Sequence, residues 1–199
     1  MKLIRIFFIY LLVSVNALSA QDFHGGLRLG MCASQVSGDN LSGFDKAGIL
    51  GGAFVKRDFS AKSALRMEML FIQKGSRSPV STYDNSYYRM RLHYVEVPVL
   101  YEYRVKKKFS IAAGASFGVL VFSEENDQLG VLNNMPEFNK TEFSYHLGML
   151  FNFTEHWTLD LRYSASLTPV RDYELSYYPN YFEKGQFNSS LQLSMYYTF

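Results

Sequence analysis

The sequence contains one cysteine, Cys32, and one tryptophan among its 199 residues. A single cysteine excludes an internal disulfide, so the fold must be held together by other means. Acidic and basic residues are interleaved and almost balanced, with a formal net charge of +2 and no basic stripe. This charge pattern argues against nucleic acid as a partner.

Long hydrophobic runs are also scarce, although 48% of the residues are hydrophobic and 17% are aromatic. The exception is residues 6–15, which follow two basic residues and precede a stretch of small residues. A run of about ten apolar residues is too short for a spanning helix, which needs about 20, and its flanks are typical of a signal peptide. We therefore predict a signal peptide over residues 1–20, cleaved after Ala20 or after Ser19, and one domain over residues 21–199.

Eight segments of the remaining chain alternate apolar and polar residues with a period of two. The sixth is the clearest, because the odd-numbered residues of 143–153 are apolar and most of the intervening ones are polar. Such alternation places the two sets on opposite faces of a β-strand. The clear segments run for about 10–13 residues, close to the length of a tilted membrane strand. The fourth segment contains Pro98, which cannot donate to a ladder, so we expect a bulge or a local break there.

The connections between these segments alternate in length. Short polar turns are predicted at 56–62, 106–108 and 154–156, and long connections at 35–45, 76–89, 123–140 and 169–185. Short turns at one end and long loops at the other are typical of outer-membrane barrels, whose short turns face the periplasm. We therefore predict an all-β fold, an eight-stranded antiparallel up-and-down transmembrane β-barrel, exported to the outer membrane and surrounded by its lipid.

The polar face of the segments distinguishes a membrane barrel from a soluble one that has the same alternation. It carries seven ionisable side chains: Arg28, Arg66, Glu68, Glu96, His146, Asp160 and Arg162. Burying these groups in an apolar core is costly, whereas the narrow lumen of an eight-stranded barrel is filled by side chains. We predict that they form a structural polar network in the lumen. A proton or ion path is the alternative, although eight strands leave no open channel.

Aromatic residues lie near the ends of several segments and predict two girdles at the membrane interfaces. The periplasmic girdle is predicted from Tyr103, Phe109, Phe153, Trp157, Tyr197 and Phe199, and the outer one from Phe143, Tyr145 and Phe187.

The sequence offers little support for catalysis. Ser144 and His146 share one face of a segment, as in a strand-borne hydrolase, but beyond Glu142 on the same face no carboxylate is placed to orient the histidine. The four histidines lack the spacing of metal ligands. We therefore predict a non-enzymatic protein without a cofactor, and an outer-membrane lipid hydrolase remains a third interpretation.

The long connections are rich in tyrosine, a residue that suits binding of a protein or a glycan. The predicted loop-binding residues are Tyr83, Tyr87, Tyr88, Tyr173, Tyr177, Tyr178 and Tyr181. Packing of the loops on one another is the alternative interpretation.

Several motifs resemble those of the PorT-like family of outer-membrane β-barrel proteins. The sharpest is Tyr-Val-Glu-Val-Pro-Val-Leu at residues 94–100, supported by residues 26–30, by Glu68, by Gln-Lys-Gly at 73–75 and by the final Phe199. The resemblance implies an eight-stranded barrel, and its namesake is linked to protein secretion across the outer membrane. Our leading interpretation is a structural or loop-mediated binding role, and an accessory role in secretion is the alternative.

Overall fold

The computed structural model describes residues 23–39, 41, 43–78, 87–132, 136–172 and 185–199. The predicted signal peptide lies outside these residues. Within them, no helix has the length and apolar character needed to cross a membrane. The strands are β1 Phe23–Ser37, β2 Lys46–Asp58, β3 Ser63–Ser78, β4 Tyr88–Lys106, β5 Phe109–Asp127, β6 Gly130–Val131, β7 Thr141–Asn152, β8 Trp157–Ser166, β9 Arg171–Asp172 and β10 Gly185–Thr198.

The eight long strands form a closed antiparallel ring in the order β1-β2-β3-β4-β5-β7-β8-β10, and β10 pairs back onto β1. The two-residue strands β6 and β9 pair with β5 and β10 beyond the ring. Closure leaves the ring without an open edge, so its backbone groups are paired within the sheet. The predicted eight-stranded antiparallel barrel is confirmed.

Alternation along each strand gives the barrel an apolar outside and a polar inside. On β1, Leu29 is 68% exposed whereas the adjacent Arg28 is fully buried. The outward apolar side chains form a continuous surface that we call the lipid-facing belt. It includes Leu27, Leu29, Met31, Ile49, Val55, Leu65, Met67, Met69, Val95, Val99, Ile111, Phe117, Val119, Phe143, Leu147, Met149, Phe151, Leu161, Leu191 and Leu193.

The two ends of the barrel differ in how their strands are connected. Three turns at residues 59–62, 107–108 and 153–156 lie at one end, which we call the turn end, together with Phe23 and Phe199. The opposite end, which we call the loop end, carries the long connections. There β4 and β5, each 19 residues long, extend past the belt. The predicted alternation of short and long connections is therefore present; the turns at 59–62 and 107–108 are shorter than the predicted segments, and the turn at 153–156 begins one residue earlier than predicted.

Pro98 is accommodated without a bulge. It pairs with Ser116 of β5 in unbroken register. On its other side the β3–β4 ladder is interrupted between Met67 and Leu70, with the same register before and after the gap. The local break expected from the missing N–H is therefore present, and the bulges lie elsewhere.

One bulge has a structural consequence at the loop end. The β4–β5 register shifts between His93 and Tyr94 and passes over Val121 of β5. An extra residue reverses which face the following side chains occupy. Val119, before the bulge, faces outward, whereas Glu125, after it, is only 4% exposed. The bulge thus directs an acidic side chain into the barrel.

The aromatic girdle predicted at the turn end includes Trp157 and Tyr197, which are exposed and have ring centroids 4.9 Å apart. At the loop end Phe143 is exposed, but Phe187 is buried, so its predicted place in the outer girdle is wrong. Residues 185–190 at the start of β10, where β9 pairs with the strand, are buried on both faces.

Candidate functional site

The centre of the barrel holds a closed set of four charged side chains. Arg28 of β1 contacts Glu68 of β3 at 2.9 Å and Asp160 of β8 at 3.0 Å. Arg162 contacts both oxygens of Glu68 at 3.1 Å and also Asp160 at 3.1 Å. Two arginines thus face two carboxylates, and each side chain has a relative exposure of 0%. The group is electrically neutral, which is the condition under which buried charges are tolerated.

Residues of β10 complete this central network. Tyr196 accepts from Arg162 at 2.6 Å and donates to Glu68 at 2.5 Å. Ser194 and Gln192 accept from Arg28 at 2.9 and 3.0 Å. The sequence pattern singled out the four charged members but not these three. Their position on the polar face of the last segment was the signal that could have identified them.

Towards the turn end, Arg66 forms a second, smaller group. Its Nη2 lies 2.8 Å from Glu102, and its guanidinium stacks on the rings of Tyr196 and Phe54 at 4.1 and 4.8 Å from their centroids. Gly26 leaves room for this arrangement, because a Cβ there would lie 2.5 Å from the Phe54 ring. Glu102 was not among the predicted lumen residues, although it shares a strand face with Glu96.

Towards the loop end, Lys74 lies between two carboxylates. It contacts Glu142 at 2.7 Å and also contacts Glu96. Glu142 accepts further hydrogen bonds from Asn188 and Ser144, each at 2.6 Å. Five of the seven predicted lumen residues therefore occupy the central and turn-end groups, and Glu96 belongs to this third one.

His146, the remaining predicted residue, does not pair with Ser144. Its Nε2 lies 2.8 Å from the Ser116 hydroxyl, and its Nδ1 has no hydrogen-bond partner among the described residues. Ser144 donates instead to Glu142. His146 and Ser144 are each 1% exposed. Ser144 and His146 are thus neither bonded to each other nor open to a lipid substrate.

Between Lys74 and the loop end the interior contains an apolar cluster. A cluster of buried side chains, which we call the loop-end cluster, fills this part of the barrel: Cys32, Val36, Leu50, Ile72, Met90, Leu92, Tyr94 and Val170. Gly75 lies where β3 reaches this cluster. Its φ is +133°, and a Cβ there would lie 2.1 Å from the Met90 carbonyl oxygen, so the position requires glycine. This cluster lies between the Lys74 group and the loop end.

At the loop end, Glu125 is held by Arg171 at 2.5 Å and accepts a hydrogen bond from Tyr88. Burial and the Glu125 carboxylate raise the pKa of Tyr88, which keeps its hydroxyl protonated as a donor. Tyr87 is exposed. The other predicted loop tyrosines, at positions 83, 173, 177, 178 and 181, lie outside the described residues.

Basic side chains gather on the outside of the barrel just past the belt. We call Arg77, Arg89 and Arg91 the outer basic cluster; Lys46, which is 4% exposed, faces the inside of the barrel near it. Arg77 and Arg89 lie directly opposite each other in the β3–β4 ladder. Burial and the nearby Arg89 lower the pKa of Lys46, which reflects the positive potential of this region. Glu124 contacts Arg91 at 3.7 Å.

The described residues contain no group of three or more His, Cys, Asp or Glu side chains arranged to hold a metal ion. The candidate sites are therefore the ionic groups inside the barrel and the charged surfaces at its two ends.

Comparisons with known proteins agree with this architecture. The crystal structure of Ail from Yersinia pestis, in complex with a heparin analogue, is 15% identical, with a TM-score of 0.50 over 89% of this chain and 99% of Ail. Neisserial surface protein A is 12% identical, with a TM-score of 0.55 over 88% of this chain and 97% of that one. No curated protein matches in sequence. The family model described as "Outer membrane protein beta-barrel domain" matches residues 19–172, and the chain therefore belongs to this family of outer-membrane β-barrels.

Proposed function

We propose that the protein is a non-enzymatic outer-membrane barrel whose loop end binds an anionic glycan, meaning a saccharide that carries sulfate or phosphate groups. The observation that carries this proposal is the outer basic cluster. It lies just past the lipid-facing belt, at the end opposite the short turns, which face the periplasm in outer-membrane barrels.

The arrangement of the cluster favours an anionic ligand. Like charges directly opposite each other in a sheet are destabilising, yet Arg77 faces Arg89 across the β3–β4 ladder. Among the described residues only Glu124 forms an ion pair with the cluster. The Nε atoms of Arg89 and Arg91 are buried and have no hydrogen-bond partner in the described part of the chain. A sulfate or phosphate group would supply both the missing charge and the missing acceptors.

Two further observations support a saccharide as the carrier of that charge. Tyr87 is 39% exposed and lies two residues before Arg89, so it offers an aromatic surface with a polar hydroxyl beside the cations. Ail, a barrel of the same fold, has been crystallised with the heparin analogue sucrose octasulfate. This likeness is one of fold, so it supports the ligand class by analogy. The predicted tyrosines outside the described residues would extend the same surface.

The non-enzymatic part of the proposal is supported by the barrel interior. His146 and Ser144 bond to different partners and are closed off from lipid. A lipid hydrolase would need both groups at an accessible surface. An accessory role in protein secretion, implied by the resemblance to PorT-like barrels, stays an alternative prediction. It is tested separately, by whether deletion of the gene leaves secreted cargo inside the cell.

Binding is tested with sucrose octasulfate, titrated by calorimetry into the protein purified from outer membranes in an uncharged detergent. The variant Arg77→Gln/Arg89→Gln/Arg91→Gln removes three cations, and we expect its Kd to rise at least tenfold, as for the loss of several charge-assisted contacts. The affinity of the unaltered protein should fall as salt is added.

The control is Arg57→Gln/Lys106→Gln, which removes two cations from the turn end. It should leave the Kd for sucrose octasulfate unchanged. Heat-dependent gel mobility should show that both variants are folded barrels. An unchanged Kd in the triple arginine variant would overturn the proposal.

A further inference from the structure

We propose that the barrel carries a second binding site, at its periplasmic end, for an anion that bears phosphate groups. The site is a cavity of about 530 Å³ in the mouth of the barrel at the turn end, which we call the turn-end cavity. This volume lies within the range of ligand pockets. It is separate from the outer basic cluster, which lies at the opposite end of the strands.

The lining of the turn-end cavity has an excess of positive charge. Its cationic residues are Lys56, Lys62, Arg66, Arg104, Lys107 and Lys108. Its carboxylates are Asp58, Glu102 and Glu155. A net charge of +3 is thus concentrated around one cavity, in a chain whose total is only +2. Such a concentration of one sign attracts counter-ions and selects ligands with more than one negative charge.

The carboxylates do not neutralise the lysines that lie in the turns. Asp58 is 3.5 Å from both Lys56 and His24, and Glu102 is 2.8 Å from Arg66. Within the described ranges, no ion pair involves Lys62, Lys107 or Lys108. These three ammonium groups are therefore available to a ligand in the cavity.

Arg66 provides the observation that distinguishes a site from a merely basic surface. The residue is only 4% exposed, and it lines the inner part of the cavity. Its Nη2 is engaged by Glu102, whereas its Nε and Nη1 have no hydrogen-bond partner among the described residues. Leaving buried donors unpaired costs free energy, so an acceptor is expected to reach them through the cavity.

The shape of this group favours phosphate. The rings of Tyr196 and Phe54 hold the Arg66 guanidinium in a fixed plane. A fixed guanidinium presents parallel N–H donors to two oxygens of one phosphate, while lysines act as mobile point charges around it. The phosphate can come from the headgroup of a phospholipid in the inner leaflet or from a free molecule of the periplasm.

The test uses inorganic pyrophosphate as the probe, titrated by calorimetry into the protein in uncharged detergent. The variant Lys107→Gln/Lys108→Gln changes two exposed turn residues and should raise the Kd roughly tenfold, the effect of losing two partly exposed ion pairs. The matched control is Arg57→Gln/Lys106→Gln, which removes the same charge at the turn end outside the cavity lining and should leave the Kd unchanged. Arg66→Gln should abolish binding, provided that its heat-dependent gel mobility shows a folded barrel.

The source of the phosphate is distinguished by repeating the titration in phosphatidylcholine nanodiscs with and without phosphatidylglycerol. If phosphatidylglycerol weakens pyrophosphate binding, a lipid headgroup occupies the cavity; if it has no effect, the ligand is a free anion. Both results support the site. Absence of pyrophosphate binding, or equal loss in the two double variants, would overturn it. Neither result bears on sucrose octasulfate binding at the loop end.

Discussion

The two halves of the barrel interior are built from the same strands but have opposite characters. Towards the loop end, β3 and β4 contribute Ile72 and Leu92 to an apolar cluster in which both residues are fully buried. Towards the turn end, the same faces of the same strands contribute Arg66 and Glu102, which border an open basic cavity. The inward face of this barrel is thus not uniformly polar. Charged side chains border the cavity that is open to water, and apolar side chains pack against one another in the loop-end cluster.

The central network forms the boundary between these halves. Arg28, Glu68, Asp160 and Arg162 come from three different strands and contact one another within 3.1 Å. On one side of them lies the loop-end cluster, and on the other the interior opens into the turn-end cavity. This division favours a protein that binds ligands at its two ends over one that conducts them through its centre.

The largest effect on stability is expected from disrupting the central network. Glu68→Ala removes the carboxylate shared by Arg28 and Arg162 and leaves both cations buried. Removing one partner of a buried ionic group typically costs about 3–5 kcal/mol, so we expect a loss of that size in the free energy of unfolding. Guanidinium titration in lipid vesicles measures it. The control Glu155→Ala, an exposed acid of a turn, should have almost no effect, and equal losses would contradict the assignment of Glu68 to the centre.

A smaller loss of stability is expected from creating a cavity in the loop-end cluster. Leu92→Ala should reduce the free energy of unfolding by about 2–4 kcal/mol, because the fully buried side chain leaves a cavity. Leu147→Ala deletes the same atoms from the lipid-facing belt, where Leu147 is 55% exposed and lipid chains can fill the gap. We therefore expect Leu147→Ala to cost clearly less. If the two variants lose the same stability, the loop-end cluster is not close-packed.

The sequence predicts the barrel because a period of two is a local property. Each segment shows its two faces independently of the others. Knowledge of the register is therefore not needed to predict the strand count, the order of short and long connections or the inward position of Arg28 and Asp160. Where the pattern failed, the cause was non-local. Phe187 has the parity of an outward residue, but it belongs to the start of β10, which is buried on both faces.

The partners within the lumen depend on register and bulges, which no single segment specifies. Glu102 and Glu96 lie on the same face of β4, and the sequence alone does not distinguish their partners. The register of the strands places Glu102 beside Arg66 and Glu96 beside Lys74. Likewise Glu125 enters the interior because of the bulge at Val121. The turn-end cavity could not be predicted for the same reason, since its cations come from two turns and three strands.

The smallest effect on stability is expected at the turn end, where the structure is most open. Asp58→Asn removes a partly exposed carboxylate that pairs with Lys56, so the free energy of unfolding should change by less than about 1 kcal/mol. The same change makes the turn-end cavity more positive, and we expect the Kd for pyrophosphate to fall roughly two- to threefold. Glu137→Gln removes one exposed acid at the loop end and should change neither quantity. Tighter binding in both variants would show that pyrophosphate responds to net charge alone. That result would contradict the contrast between a packed loop end and a ligand-binding turn end.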